Sequence, residues 1–180
     1  MGTEGGPGGP VSPSTGEPVT GEPAEAVGAR LVSAYREVAR TMRDLPVYNP
    51  RLDVEAVGFR LHDGHALGVL VTPWFMNIVL VAREGGPPLP DAALGAFRTV
   101  DFPAGRVSLL VGEVFGFGRL DTASLFSPMA GFDDPATARE TAAAALLALF
   151  RPAGRGVEAP EETRPAKTPD RRALLFGRGA

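Results

Sequence analysis

The sequence predicts an α+β domain of two layers: a mostly antiparallel sheet of about five to six strands, with an N-terminal and a C-terminal helix packed together on one face. Three observations predict it. A helical apolar period opens the patterned part of the chain, a second one closes it, and between them the period shifts to two, with turn signals joining successive runs. With 180 residues, 44% of them hydrophobic, the chain is large enough for one domain with a real core.

Residues 1–22 hold seven Gly and four Pro and no hydrophobic period, so they read as a disordered tail. They also lack a basic residue and an apolar run, which removes a signal peptide and makes a cytoplasmic protein the expectation. From Pro23 the residues Val27, Leu31, Ala34, Tyr35, Val38 and Met42 recur every three or four positions, predicting a helix over 23–43. Proline suits its first turn, Arg40 and Arg43 suit its last, and Pro46 and Pro50 prevent continuation.

From residue 54 the alternation of Val57, Phe59 and Leu61 against Arg60 and His62 predicts a half-buried strand. The His62-Asp63-Gly64-His65 turn then leads into a returning strand over 66–71. A third strand is expected over 76–82. The uncharged run 66–82 just reaches the lower length of a membrane helix, but Thr72-Pro73 and Asn77 interrupt it and its Val and Ile content favours buried strands. No stable membrane insertion is expected. Residues 85–90 read as a loop and 91–96 as one helical turn. Strands over 97–102 and 106–114 flank the Pro103-Ala104-Gly105 turn, and a last strand over 119–126 follows Gly116-Phe117-Gly118. Asp134-Pro135 starts the second helix, with Ala138, Ala142, Ala145, Leu146 and Leu149 as its apolar side and Arg151-Pro152 as its end. The domain therefore spans 23–150. Residues 151–180 are a flexible linker followed by a terminal Arg-Arg-apolar motif.

Composition narrows the chemistry. Zero Cys excludes disulfides, thiolate metal sites and Cys nucleophiles. A formal charge of -3 provides no field for holding nucleic acid, so none is expected as a partner. There is no nucleophile elbow, no phosphate-cradling glycine loop and no H-E-x-x-H. His62 and His65 are the best metal candidates, but they bracket an exposed turn and would splay, so no metal and no cofactor is expected. Glu113 and Asp121 could face each other across a hairpin as paired carboxylates; the plainer reading makes them solvated strand residues.

Three segments combine apolar bulk with a polar handle where a strand should stop. In Thr72-Pro73-Trp74-Phe75-Met76-Asn77 the proline breaks the ladder and leaves the only Trp of the chain beside a Phe and a Met. That pattern fits a buried β-corner or a peptide-binding lip. Ser124-Leu125-Phe126-Ser127-Pro128-Met129 repeats the chemistry, and the two corners could lie together. The third is Arg171-Arg172-Ala173-Leu174-Leu175-Phe176, whose large apolar side chains are costly to leave in water.

These segments, with the Phe-Pro-x-Gly turn at 102–105 leading to Val111-Gly112-Glu113, resemble the HybE/HupJ family of nickel-iron hydrogenase assembly chaperones. The resemblance covers about 27–150 and 171–178 in family order. Some relatives join this module to a rubredoxin domain whose iron needs four Cys; this chain has none, so no iron is implied. What the resemblance implies is a non-catalytic cytoplasmic protein. Its partners would be the large subunit of the hydrogenase, the small-subunit precursor with its twin-arginine signal, or both, held before export, together with other maturation factors. By chemistry and position the partner-binding residues are expected to be Thr72, Pro73, Trp74, Phe75, Met76, Asn77, Ser127, Pro128, Met129, Arg171, Arg172, Leu174, Leu175 and Phe176. Two other classes compete: a small carboxylate-dependent enzyme with a deep polar pocket near Trp74, and a structural subunit with a large constitutive interface.

Overall fold

The alternating runs assemble into a single sheet. The computed structural model describes residues 21–152, in which α1 (Ala24–Met42) is followed by β1 (Glu55–His62), β2 (His65–Val71), β3 (Met76–Val81), β4 (Phe97–Phe102), β5 (Gly105–Val114), β6 (Gly118–Phe126) and α2 (Pro135–Ala148). The six strands form one sheet in the order β1-β2-β3-β6-β5-β4, antiparallel throughout. Each half is a local meander, and the two meet where β3 pairs with β6.

The class stands as predicted, but the layering differs. Leu67, Val69 and Val71 of β2, with Ile78 and Leu80 of β3, pack against Ala138, Ala142 and Leu146 of α2. The intervening residues Ala66, Leu70, Val79 and Val81 pack against Val27 and Leu31 of α1. Successive strand side chains point to opposite faces, so the two helices lie on opposite faces of the sheet rather than together on one. The cause is legible in β2, which is apolar at consecutive positions and buried on both sides. Both helices contact β1 and β2. The outer face of β4 and β5 is left open, with Phe97 and Leu110 exposed.

The face that carries α2 is concave. β1 and β4 are opposite edges of the sheet, yet the His62 ring stacks on Phe102 at 4.8 Å and both rings meet Phe150 beyond α2. Ala104 N–H also donates to the Leu149 carbonyl at 3.0 Å. The sheet thus curls until two diagonal corners touch across the end of α2. His62 is occupied by aromatic packing, while the His65 ring lies 3.2 Å from the Pro88 carbonyl. The pair is not assembled as ligands.

The expected period of β1 breaks at Gly58. Its φ of +63° lies in the left-handed region that glycine alone enters freely, and the register shifts there between Val57 and Arg60. Val57 therefore joins the α2 side and Phe59 the α1 side. Phe59 is received by a missing side chain: a Cβ on Gly68 would lie 2.2 Å from its ring.

Three smaller expectations also meet the structure. Asp134 caps α2, accepting from Thr137 N–H at 2.8 Å, and that bond holds its carboxyl below the usual carboxylate range. Residues 91–96 form a turn at Leu94-Gly95 rather than a helical one, because Gly95 N–H and the Ala96 carbonyl bond to Val111 and extend the β4–β5 pairing. Glu22, expected in the tail, donates its backbone N–H to Glu84 and pairs with Arg30 at 2.7 Å.

Asp121 is neither a solvated strand residue nor one of two paired carboxylates. It is fully buried and accepts from Arg98 Nε at 2.7 Å and Arg119 Nε at 3.1 Å. The register places Arg119, not Asp121, opposite Glu113. Arg98 points inward from an edge strand, a position in which a charge discourages pairing with another chain.

Candidate functional site

The two proline corners lie together, joined by a residue that the sequence reading passed over. Asn49, in the segment that stops α1, donates its backbone N–H to the Pro73 carbonyl at 2.8 Å. Its side-chain Nδ2 donates to the carbonyls of Met129 at 3.0 Å and Phe132 at 2.7 Å, and Oδ1 accepts from Arg51 N–H at 3.1 Å. Every polar group of the side chain is thereby used, which fixes its orientation. Only its place between Pro46 and Pro50 hinted that the loop was held rigidly.

The corners divide into supports and surface. Thr72 is fully buried; its hydroxyl donates to the Phe75 carbonyl at 2.9 Å and accepts from the N–H groups of Trp74 and Phe75, closing a side-chain turn. Met76 and Met129 are fully buried and Pro73 is buried, so these residues support the site from inside. Trp74, Phe75 and Asn77 are half-buried, and Ser127 and Pro128, joined by a cis peptide bond, are exposed. Asn77 lies in register between Leu70 and Ser124, with its buried Oδ1 unbonded among the described residues. Arg171, Arg172, Leu174, Leu175 and Phe176 lie outside the described residues.

Trp74 sits in an aromatic cluster. Its ring stacks on Tyr48 at 6.2 Å and meets Tyr35 at 6.4 Å, with Phe75 edge-on to both Tyr35 and Trp74. Burial pushes the Tyr35 hydroxyl up to about 12. Unfolded, a tyrosine ionises near about pH 10, so across that window the folded chain keeps a proton that the unfolded chain has lost, and stability falls as pH rises through it. Phenolate absorbance of the folded protein should show a late-titrating tyrosine that Tyr35→Phe removes; a profile in which the substitution leaves the late step in place would contradict this burial.

Three open depressions adjoin Tyr48. One, of about 380 Å³, is lined by Pro46, Val47, Asn49, Pro50 and Arg51 against Pro128 and Ala130. A second, of about 320 Å³, adds Val54 and Pro73 with three arginines and Asp53. A third, of about 410 Å³, joins Arg43, Pro50, Leu52 and Asp53. With Leu45 and Val47 exposed beside them, they form a shallow, partly apolar surface suited to laying down a protein segment. Asp53 is the one carboxylate in these linings, so they hold no pair of carboxylates. Among the described residues no three His, Asp or Glu gather as a metal site, and no helix is long and apolar enough to cross a membrane.

The family model for NiFe-hydrogenase assembly, chaperone, HybE matches residues 26–177. The hydrogenase expression/formation protein HupJ of Bradyrhizobium diazoefficiens is 48% identical over 86% of this chain and 89% of its own length. A probable rubredoxin HupJ of Rhodobacter capsulatus is 34% identical over 71% of this chain but only 46% of that longer protein. The solution structure of HybE from Escherichia coli superposes with a TM-score of 0.55 at 25% identity, covering 86% of this chain and 91% of that one.

Proposed function

The chain belongs to the family of nickel-iron hydrogenase assembly chaperones that includes HybE, and from that premise we propose that it binds precursor subunits of a nickel-iron hydrogenase in the cytoplasm and releases them for export once assembly is complete. The clients are the large subunit, the small subunit with its twin-arginine signal, or both. The role is one of binding, without a chemical step. The observation that carries this reading is the Asn49 clasp: it brings the Trp74 and Pro128 corners into one surface and leaves a half-buried aromatic stack beside an open, mainly apolar depression. Residues 171–176 contribute to client binding from beyond the domain. The relatives named for hydrogenase expression and formation support the biological setting.

The test is capture from cells that express the matching hydrogenase operon. The tagged wild-type protein should recover an unprocessed hydrogenase subunit, and Trp74→Ala should reduce recovery by about tenfold, as expected for truncating an aromatic anchor. Removal of residues 171–180 should also change recovery. The reading fails if the wild type recovers no hydrogenase subunit when both are expressed.

A further inference from the structure

The surface around Tyr48 has a charge pattern that client binding alone leaves unexplained. Arg36 and Arg40 of α1 and Arg43 at its C-cap follow at spacings of four and three, which sets them along one flank of the helix. All three line the same depression of about 320 Å³ with Tyr48, Val54 and Pro73. The only carboxylate in that lining is Asp53. Arg40 is committed to Glu37 at 2.6 Å, whereas Arg36 and Arg43 make no ion pair among the described residues. Asp44 is next in the chain to Arg43 but outside the lining. A helix C-terminus favours cations, which accounts for Arg40 and Arg43 singly but not for their convergence with Arg36 on an aromatic depression.

We propose that this depression receives an acidic, apolar segment of the partner protein. Its apolar side chain lies against the half-buried Tyr48 ring, and a neighbouring carboxylate is held by Arg36 and Arg43. Guanidinium groups match carboxylates in shape as well as charge, which makes the contact selective. The proposal rests on the chaperone reading only for the identity of the partner. The same charges oppose a twin-arginine segment at this place, whether it belongs to a client or is the chain's own Arg171-Arg172 motif.

Trp74, the only tryptophan of the chain, stacks on Tyr48 and reports occupancy by its fluorescence. The full chain is titrated with two synthetic peptides of equal length that present the same Leu-Phe pair, one flanked by Glu and the other by Arg. The Glu peptide should bind about tenfold more tightly at low salt, with the advantage shrinking as salt rises. Arg36→Glu with Arg43→Glu should invert the preference while the domain stays folded, with only the small drop in thermal stability expected from an anion at the C-terminal end of α1, since both side chains are exposed. Equal affinities, a preference for the Arg peptide, or no response to either peptide overturns the proposal. Precursor capture run in parallel separates it from the chaperone reading. Capture that survives the double reversal overturns the charge assignment and leaves the client role standing. If the wild type captures nothing, the client role fails, while a Glu-peptide preference still supports the chemistry assigned to the depression.

Discussion

Asp121→Ala will lower the unfolding free energy by about 3–5 kcal/mol, the cost of leaving a buried ion pair half-made. The carboxylate is fully buried and accepts from both Arg98 and Arg119, whose side chains are only 18% and 26% exposed. Without it, two guanidinium groups remain at the margin of the core, and Arg98 already has an unbonded buried Nη2. Replacing the carboxylate and Arg98 together by Leu and Met should recover most of the loss, because apolar groups of similar volume need no partner and Arg119 can turn toward water. Urea unfolding midpoints decide the matter: a loss under about 1 kcal/mol for Asp121→Ala would mean that solvent screens the cluster.

The second large effect is expected at Asn49. Asn49→Ala removes both Nδ2 donors, leaving the Phe132 carbonyl without its partner and the Met129 carbonyl with only the bond from Phe132 N–H, a cost of about 1–3 kcal/mol. Asn49→Asp should cost more, although it is nearly the same shape. Its carboxylate can still accept from Arg51 N–H, but it presents oxygen to two carbonyl oxygens where nitrogen had donated. Both variants should also weaken client capture, since they release the Pro128 corner from the Trp74 corner. The measurements are urea unfolding and the capture experiment on the same preparations. If the Asp variant proves as stable as the wild type, the side chain is not acting as a donor clasp.

How far the molecule was legible in its sequence depends on where the information sits. Local periodicity and turn chemistry located the elements well: Asp134-Pro135 starts α2 and Asp63-Gly64 turns β1 into β2. What it could not give was the side of the sheet on which each helix packs. β2 is buried on both faces, and a run apolar at every position does not say which face meets which helix. The bulge at Gly58 was hidden because Val57, Phe59 and Leu61 keep a formal alternation that the left-handed glycine interrupts. At the site, the Trp74 and Pro128 corners were visible because proline stops a strand. Asn49 was not, because its partners lie 80 and 83 residues away in the chain. Asp121 was misjudged for the same reason: its partner Arg98 belongs to a strand two places away in the sheet.

The seam between β3 and β6 has a consequence for the order in which the molecule forms and opens. Strands β1 to β3 and strands β4 to β6 each close through short hairpins, but the seam joins Ile78 to Ala123 and must overcome the entropy of a long loop. Both helices clothe the first meander and leave the second with one open face, so the second has less to hold it when the seam parts. The Trp74 corner belongs to the first meander and the Pro128 corner follows the second. The depression between Pro46–Arg51 and Pro128–Ala130 therefore has both of its walls only when the seam is closed, whereas the arginine-lined one beside it is built wholly from residues 36–73, so the two parts of the surface need not form together.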